Sequence, residues 1–224
     1  MLSTLTRLSP QIRKADFDKE AKIFLEKYYS EALRTPMAVP IMDIARKRMG
    51  LQIVQRHLSE NLSILGQMCF TNGVAEIYDK ENDEYREVKA RYGTMIIDPD
   101  VIKKRNEGCM NNTVAHECFH WHKHRDYHIS VSVKESCKGV KRVCYYDAKP
   151  ESTQKEWTDE DWMEWQANGI APRILLPYDM FKIMAEKVLD EYEYGWAVNN
   201  LASFFKVSKK AIKIRLDETG YDFR

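Results

Sequence analysis

Thr113-Val114-Ala115-His116-Glu117-Cys118-Phe119-His120-Trp121 stands near the middle of a chain of 224 residues. His116 and His120 are four positions apart, with Glu117 beside the first. On a helix, residues four apart share one face, so both imidazoles reach a single metal ion. Glu117 then lies beside the open coordination position. A carboxylate there can take the proton from a metal-bound water as it attacks a peptide carbonyl. The helix is expected to start at Asn111 or Asn112, either of which can cap it, and to continue through Phe119 and beyond. The competing reading is a solvated polar face, because His122, His124 and His128 cluster in the same stretch.

A catalytic zinc takes three protein ligands and keeps a fourth position for water. Several residues compete for the third place. Asp126 lies ten residues after His116, but the tight turn such a ligand needs has Lys123 where a Gly is usual. His124 and His128 are near in sequence, yet an unbroken helix carries them away from the metal. Cys137 and Cys144 are potential thiolates whose spacing does not suit a zinc knuckle. Glu164 follows His120 by forty-four residues, on a second helix that begins at a capping box: Thr158 with Asp161 three residues on, flanked by Trp157 and Trp162 as a hydrophobic staple. Asn168 is one turn after Glu164, where it could accept a hydrogen bond from the far nitrogen of a ligating His. Local spacing leaves these choices open.

The segment Thr113–Trp121, followed by His124, resembles the ImmA/IrrE family of metallo-endopeptidases, which shows T-x-A-H-E-x-x-H. Downstream, the family shows E-x-[EQ]-A-N-x-x-A-x-x-[IL]-L-x-P. This chain reads Glu164-Trp165-Gln166-Ala167-Asn168-Gly169-Ile170-Ala171-Pro172-Arg173-Ile174-Leu175-Leu176-Pro177. The resemblance spans roughly residues 37 to 217. The layout of helices, then a small antiparallel sheet, then helices is α+β, and the resemblance implies a zincin-like (gluzincin-type) core with the H-E-x-x-H helix packed on a Glu-bearing helix and a helical C-terminal segment. It implies one zinc ion per chain held by His116, His120 and Glu164, with Glu117 as general base. The implied substrate is a regulatory protein of the helix-turn-helix repressor kind. Cys118-Phe119 inside the motif, Pro172 in the second helix and the cysteine-bearing insertion from Ile129 to Trp157 depart from the family pattern.

Outward from these motifs, the apolar spacing predicts a helix over Asp16–Arg34 ended by Pro36, and a short one over Ile41–Met49 ended by Gly50. Strands are expected at Leu51–Val54, Met68–Phe70, Val74–Tyr78 and Gly93–Ile97, with Asn72-Gly73 as a hairpin turn. Asp79–Lys89 reads as a charged loop or hairpin tip. Ile129–Cys144 reads as an irregular connection with one strand at most. The Thr158 helix should run to Leu175, and three more helices follow it, at Tyr178–Leu189, Trp196–Phe205 and Ser208–Asp217. Trp121, Trp162 and Trp165 should form core between the two site helices. The expected division is an N-terminal helix (1–36), a peptidase core (37–177) and a helical subdomain (178–224).

Thirty-five Lys and Arg against thirty-four Asp and Glu give a net charge of +1, which argues against a wholesale nucleic-acid or anionic-membrane binder. No apolar run approaches a membrane span. Five cysteines and no apolar leader read as reduced thiols in a cytoplasmic protein. Tyr127, Tyr145, Tyr146 and His124 are candidates to stabilise an oxyanion, and Cys118 reads as a small buried hydrophobe. Leu201–Ile212 resembles the middle of a helix-turn-helix, and Lys206, Lys209, Lys210, Lys213 and Arg215 form a basic stripe. Lys209, Lys210 and Lys213 are candidate DNA contacts, so a DNA-associated regulator with a structural or sensing metal is the alternative function.

Overall fold

The computed structural model describes residues 9–137, 144–145 and 157–221. Helix α1 (Phe17–Tyr28) buries Phe17, Ala21, Phe24 and Leu25, the apolar face that the helical spacing predicts. It ends earlier than expected. Tyr29 leaves the helical region (φ −161°, ψ 70°), and a 3-10 turn covers Ser30–Leu33. Neighbouring positions on a helix point to different faces; the break lets both Tyr28 and Tyr29 pack against the core. Helix α2 (Ile41–Asp43) runs into a π-turn over Ile44–Arg48, and Gly50 (φ 71°) supplies the left-handed exit into the sheet.

The sheet contains β1 (Gln52–Gln55), β2 (Gly66–Cys69), β5 (Thr94–Ile97) and β6 (Cys144–Tyr145), in the order β1-β5-β2-β6. β1 runs parallel to β5, with Gln52 opposite Thr94, whereas β2 is antiparallel to both β5 and β6. The sheet is therefore mixed, not purely antiparallel. The hairpin expected across Asn72-Gly73 does not form. Both edges of β2 are already taken by β5 and β6, and Asn72 Oδ1 accepts a hydrogen bond from the Tyr92 amide instead. The hairpin joins β3 (Gly73–Asp79) to β4 (Glu84–Ala90). β4 lies in the stretch expected to be a loop or hairpin tip; the tip is there, and a strand fills the rest. Its residues Glu84–Lys89 are largely solvated, so no apolar alternation marks it. Leu58, Cys69, Ala75, Ile77, Ala90 and Ile96 fill the small core between ribbon and sheet.

Helix α3 (Glu107–Phe119) is capped five or six residues before the expected positions: Asn106 is the N-cap, accepting from the Cys109 amide at 2.8 Å. A π-turn spans His120–His124, and α4 (Arg125–Cys137) continues where an irregular connection was expected. Helix α5 (Asp159–Leu175) starts at the expected capping box, with the Trp157 and Trp162 rings 4.6 Å apart, and it runs through Pro172. Helices α6 (Tyr178–Glu191), α7 (Tyr194–Phe205) and α8 (Lys209–Glu218) follow as expected. α3 and α5 pack through small buried residues, Ala115 and Cys118 against Ala167 and Ala171 in one apolar cluster, which lets the helices approach closely. The tryptophans are not between them. Trp121 packs on the sheet side against Phe70 and Tyr92, whereas Trp162 and Trp165 join Trp157, with Trp165 also on Phe17 of α1. The same apolar cluster runs from Phe17 through α3 and α5 to Leu216.

Gly108 sets the distance between α3 and the α7–α8 turn. A Cβ there would stand 2.4 Å from the Ser208 nitrogen and from the Val207 carbonyl carbon. Alanine raises helix propensity by about 1 kcal/mol, but backbone atoms cannot yield as a side chain can, and overpacking costs about 1–3 kcal/mol. Gly108→Ala should therefore lower the melting temperature despite its better propensity, as thermal denaturation will show.

His122 sits under α1, its ring edge-on to Phe24 and Tyr28. Burial, helped by the nearby charges of Lys27, Lys123 and Arg125, pushes its pKa down to about 4. An unfolded His titrates near 6.5, so the unfolded chain takes up the proton first as pH falls. His122 thus withdraws stability between pH ~6.5 and ~4 and none above that window. His122→Phe should flatten the fall in melting temperature with pH across it, measured beside the parent at each pH.

Candidate metal centre

His116 is on α3, His120 opens the π-turn and Glu164 lies in α5. The two Nε2 atoms are 3.0 Å apart. Glu164 Oε2 is 3.1 Å from His116 Nε2, and Oε1 is 3.1 Å from His120 Nε2. A ligand tetrahedron with arms of about 2.0–2.1 Å has edges of about 3.3 Å, so the two imidazole nitrogens and the Glu164 carboxylate together outline one face of such a site. Glu164 Oε2 is buried and makes no hydrogen bond. Electron-pair donors held this close need a positive centre between them, and a metal cation fits the donor set. Burial pushes the Glu164 carboxyl up, but the imidazoles of His120 and His116 outweigh it and hold it well below the usual carboxylate range.

The proton positions behind His120 follow from a chain of hydrogen bonds. The Pro10 carbonyl can only accept, so Gln166 presents its amide nitrogen to it, at 2.8 Å. Gln166 Oε1 then faces His124 Nε2 at 3.1 Å, which must donate. Burial, with His120 nearby, lowers the His124 pKa well below the ordinary value, so the ring is neutral and its Nδ1 is an acceptor. His120 Nδ1, 3.1 Å from it, therefore carries a hydrogen. With Nδ1 engaged in this way, Nε2 is the His120 atom turned toward Glu164 and His116, where a ligating imidazole would present its lone pair to a metal. The position expected for Asn168 is thus taken by His124 and Gln166. Asn168 is exposed on the wall of the cleft. Glu164 and Gln166, two apart, are not same-face neighbours on a helix, so no spacing rule marks Gln166.

The centre opens into a cleft of about 1040 Å³. Glu117 lines it beside His116, and the start of β2 closes in from across. A Cβ on Gly66 would lie 3.1 Å from Glu117 Oε1 and 2.7 Å from the Thr113 methyl, so glycine leaves room for the carboxylate. His128 also lines the cleft, stacked on Phe70 at 4.2 Å between ring centroids. In an unbroken α-helix, eight residues overshoot two turns by about 80°. The wider π-turn absorbs that excess, which brings His128 back to the side of His120. Burial, reinforced by the neighbouring His120 ring, takes its pKa down to about 3.

The other candidates fall elsewhere. Asp126 is 93 % exposed and pairs with Arg125, so it cannot be the third ligand. Cys118 is fully buried, and burial pushes its thiol up. Tyr127 is edge-on to His128. Tyr146 and the side chains of Cys137, Cys144 and Tyr145 lie outside the described residues. The basic stripe does not survive intact: Arg215 is 2 % exposed and bound to Asp18 and Glu218, and Lys206 pairs with Glu107 at 3.1 Å. Lys209 and Lys213 are exposed, whereas Lys210 lines the cleft. A second group, His57, Asp98 and Asp100, also clusters. Its acids are already engaged: Leu58 and Asp100 amides donate to Asp98, and hydrogen bonds from Lys80 and Lys104 hold Asp100 down at about 2.

Removing Gln166 tests the hydrogen-bond chain. Gln166→Leu should leave the fold intact and weaken metal affinity by about 10–100-fold, read by competition with a coloured zinc chelator.

No curated protein matches the chain. The Peptidase M78 model, the IrrE N-terminal-like domain, matches residues 105–217, which carry α3, the π-turn, α5 and the C-terminal helices. The match covers half of the chain and contains both helices that hold the centre, and on that ground the chain belongs to the IrrE-like family of peptidases.

Proposed function

We propose that this chain is a zinc-dependent endopeptidase that cuts a regulatory protein of the helix-turn-helix repressor kind. His116, His120 and Glu164 would hold one zinc ion, and Glu117 would act as general base. The observation that carries the reading is the convergence of three ligand atoms within 4.8 Å of one another in a peptidase-family chain, with Glu117 on the same cleft wall. The repressor substrate rests on the family resemblance.

Zinc at this centre supplies Lewis acidity, polarising the scissile carbonyl and acidifying water. The residues of the chain do the rest. Glu117 takes a proton from the attacking water on its carboxylate and passes it to the departing amine nitrogen. Gly66 keeps the space in which that carboxylate moves. The His124–Gln166 chain holds the His120 ring in one orientation and one tautomer. The apolar wall of the cleft, which includes Met68 and Phe70, excludes water from one side of the peptide. The distribution of the α8 basic residues favours this reading over a DNA-associated regulator. The N-terminal end of α8, which a recognition helix would present to bases, is packed against Gly108 and borders the cleft.

Elemental analysis should give about one zinc per chain in the parent and in Asp126→Ala, and a clear loss in Glu164→Ala. Glu117→Gln should keep its zinc and lose about 10²–10⁴-fold in cleavage of a co-expressed repressor. Full cleavage by that variant would remove Glu117 from the mechanism, and zinc lost only with Asp126 would move the third ligand.

A further inference from the structure

The cleft is chemically lopsided. Leu62, Ile64, Leu65, Met68 and Phe70 line one wall. At the end where α3 begins, Arg105 and Lys210 are the lysine and arginine side chains that reach it. Both are exposed, and neither forms an ion pair among the described residues. Their neighbours differ: Arg173 and Arg215, in the adjoining hollow, are tied to Asp18 and Glu218, and Lys206 is tied to Glu107. The carboxylates of the cleft, Glu117 and Glu164, sit at the metal centre, where a divalent cation offsets their charge. The chain as a whole carries only +1, so the positive end is a local feature of the cleft.

Building on the peptidase reading, we propose that Arg105 and Lys210 select the substrate: a segment with large apolar residues at the cut and an Asp or Glu two to four residues away on one side. The interval follows from the helix. Lys210 shares both hollows with Asn112, one turn before His116, and with Asn168, one turn after Glu164. One turn is about 6 Å along the axis, and the nine residues from His116 back to the start of α3 are about 14 Å. An extended peptide advances about 3.3 Å per residue. The two cations therefore lie about two and four residues from the reacting bond. Lys210, a candidate DNA contact by sequence, thus serves the cleft it lines.

The test uses binding, so it does not depend on turnover. The full-length Glu117→Gln variant, loaded with zinc, is titrated with fluorescein-labelled peptides that carry a central Leu-Leu pair. One peptide has Glu residues on the N-terminal side of the pair, one on the C-terminal side, and a third has Gln throughout. One acidic peptide should bind about threefold tighter than the Gln peptide, as expected for exposed ion pairs, and high salt should erase the difference. Adding Arg105→Glu and Lys210→Glu together should reverse the preference, a swing of roughly tenfold. Both positions are exposed, and retained zinc with an unchanged melting curve shows that the fold is kept. Equal affinity for acidic and Gln peptides, absence of binding by all three, or an acid preference that survives the double substitution overturns the assignment. Failure of the peptidase reading is read separately, from zinc content and repressor cleavage by the parent chain.

Discussion

The hydrogen bond between His124 and Gln166 is the contact on which the arrangement of the centre depends. It links the long helix that carries both histidines to the helix that carries Glu164, and Gln166 passes the link to the N-terminal segment at Pro10. Its direction is forced, because a peptide carbonyl can only accept. That one constraint travels through the neutral His124 ring and fixes which nitrogen of His120 faces the cleft. Three segments far apart in sequence thus share the task of presenting one lone pair.

Such a polar chain inside an apolar cluster is costly unless every member is satisfied. Here the cost is limited by short links and by a scaffold that allows little movement. Ala115, Cys118, Ala167 and Ala171 bring the two helices close, so small shifts would clash or open a void. The π-turn at His120–His124 is part of the same solution. It gives up regular α-helical bonding for a change of phase that turns both His124 and His128 toward the centre. Glycines act at the periphery of this scaffold: Gly66 admits the Glu117 carboxylate, and Gly108 seats the turn before α8.

The location of α8 joins two features that look separate along the chain. Its first turn borders the cleft, and its buried face, through Ile212, Arg215 and Leu216, is locked to the core and to Asp18. A segment with the local pattern of a DNA-reading motif thus borders one end of the cleft that holds the candidate metal centre. The chemistry of that cleft is graded from apolar at the β2 side to positively charged at the start of α3.

The H-E-x-x-H spacing, the capping box at Thr158 and the final three helices were legible in the residues, because each rests on local helical periodicity or on a motif, whereas Glu164 as the partner of His116 and His120 came only from the family resemblance. What the sequence could not carry depends on neighbours distant in the chain. The Asn72-Gly73 turn was a sound local signal, but β2 had better partners on both edges. β4 was invisible because a solvated ribbon has no buried face to alternate. Asp126 had the right distance from His116 along the chain, yet its carboxylate points to solvent. Gln166 fills the [EQ] position of the downstream motif but follows no helical spacing with Glu164, and only the tertiary packing shows that it meets His124. Local periodicity determined which helices form and which residues could bind a metal. The packing of those helices decided which of them do meet, because a lone pair can be aimed only by the groups that surround its ring.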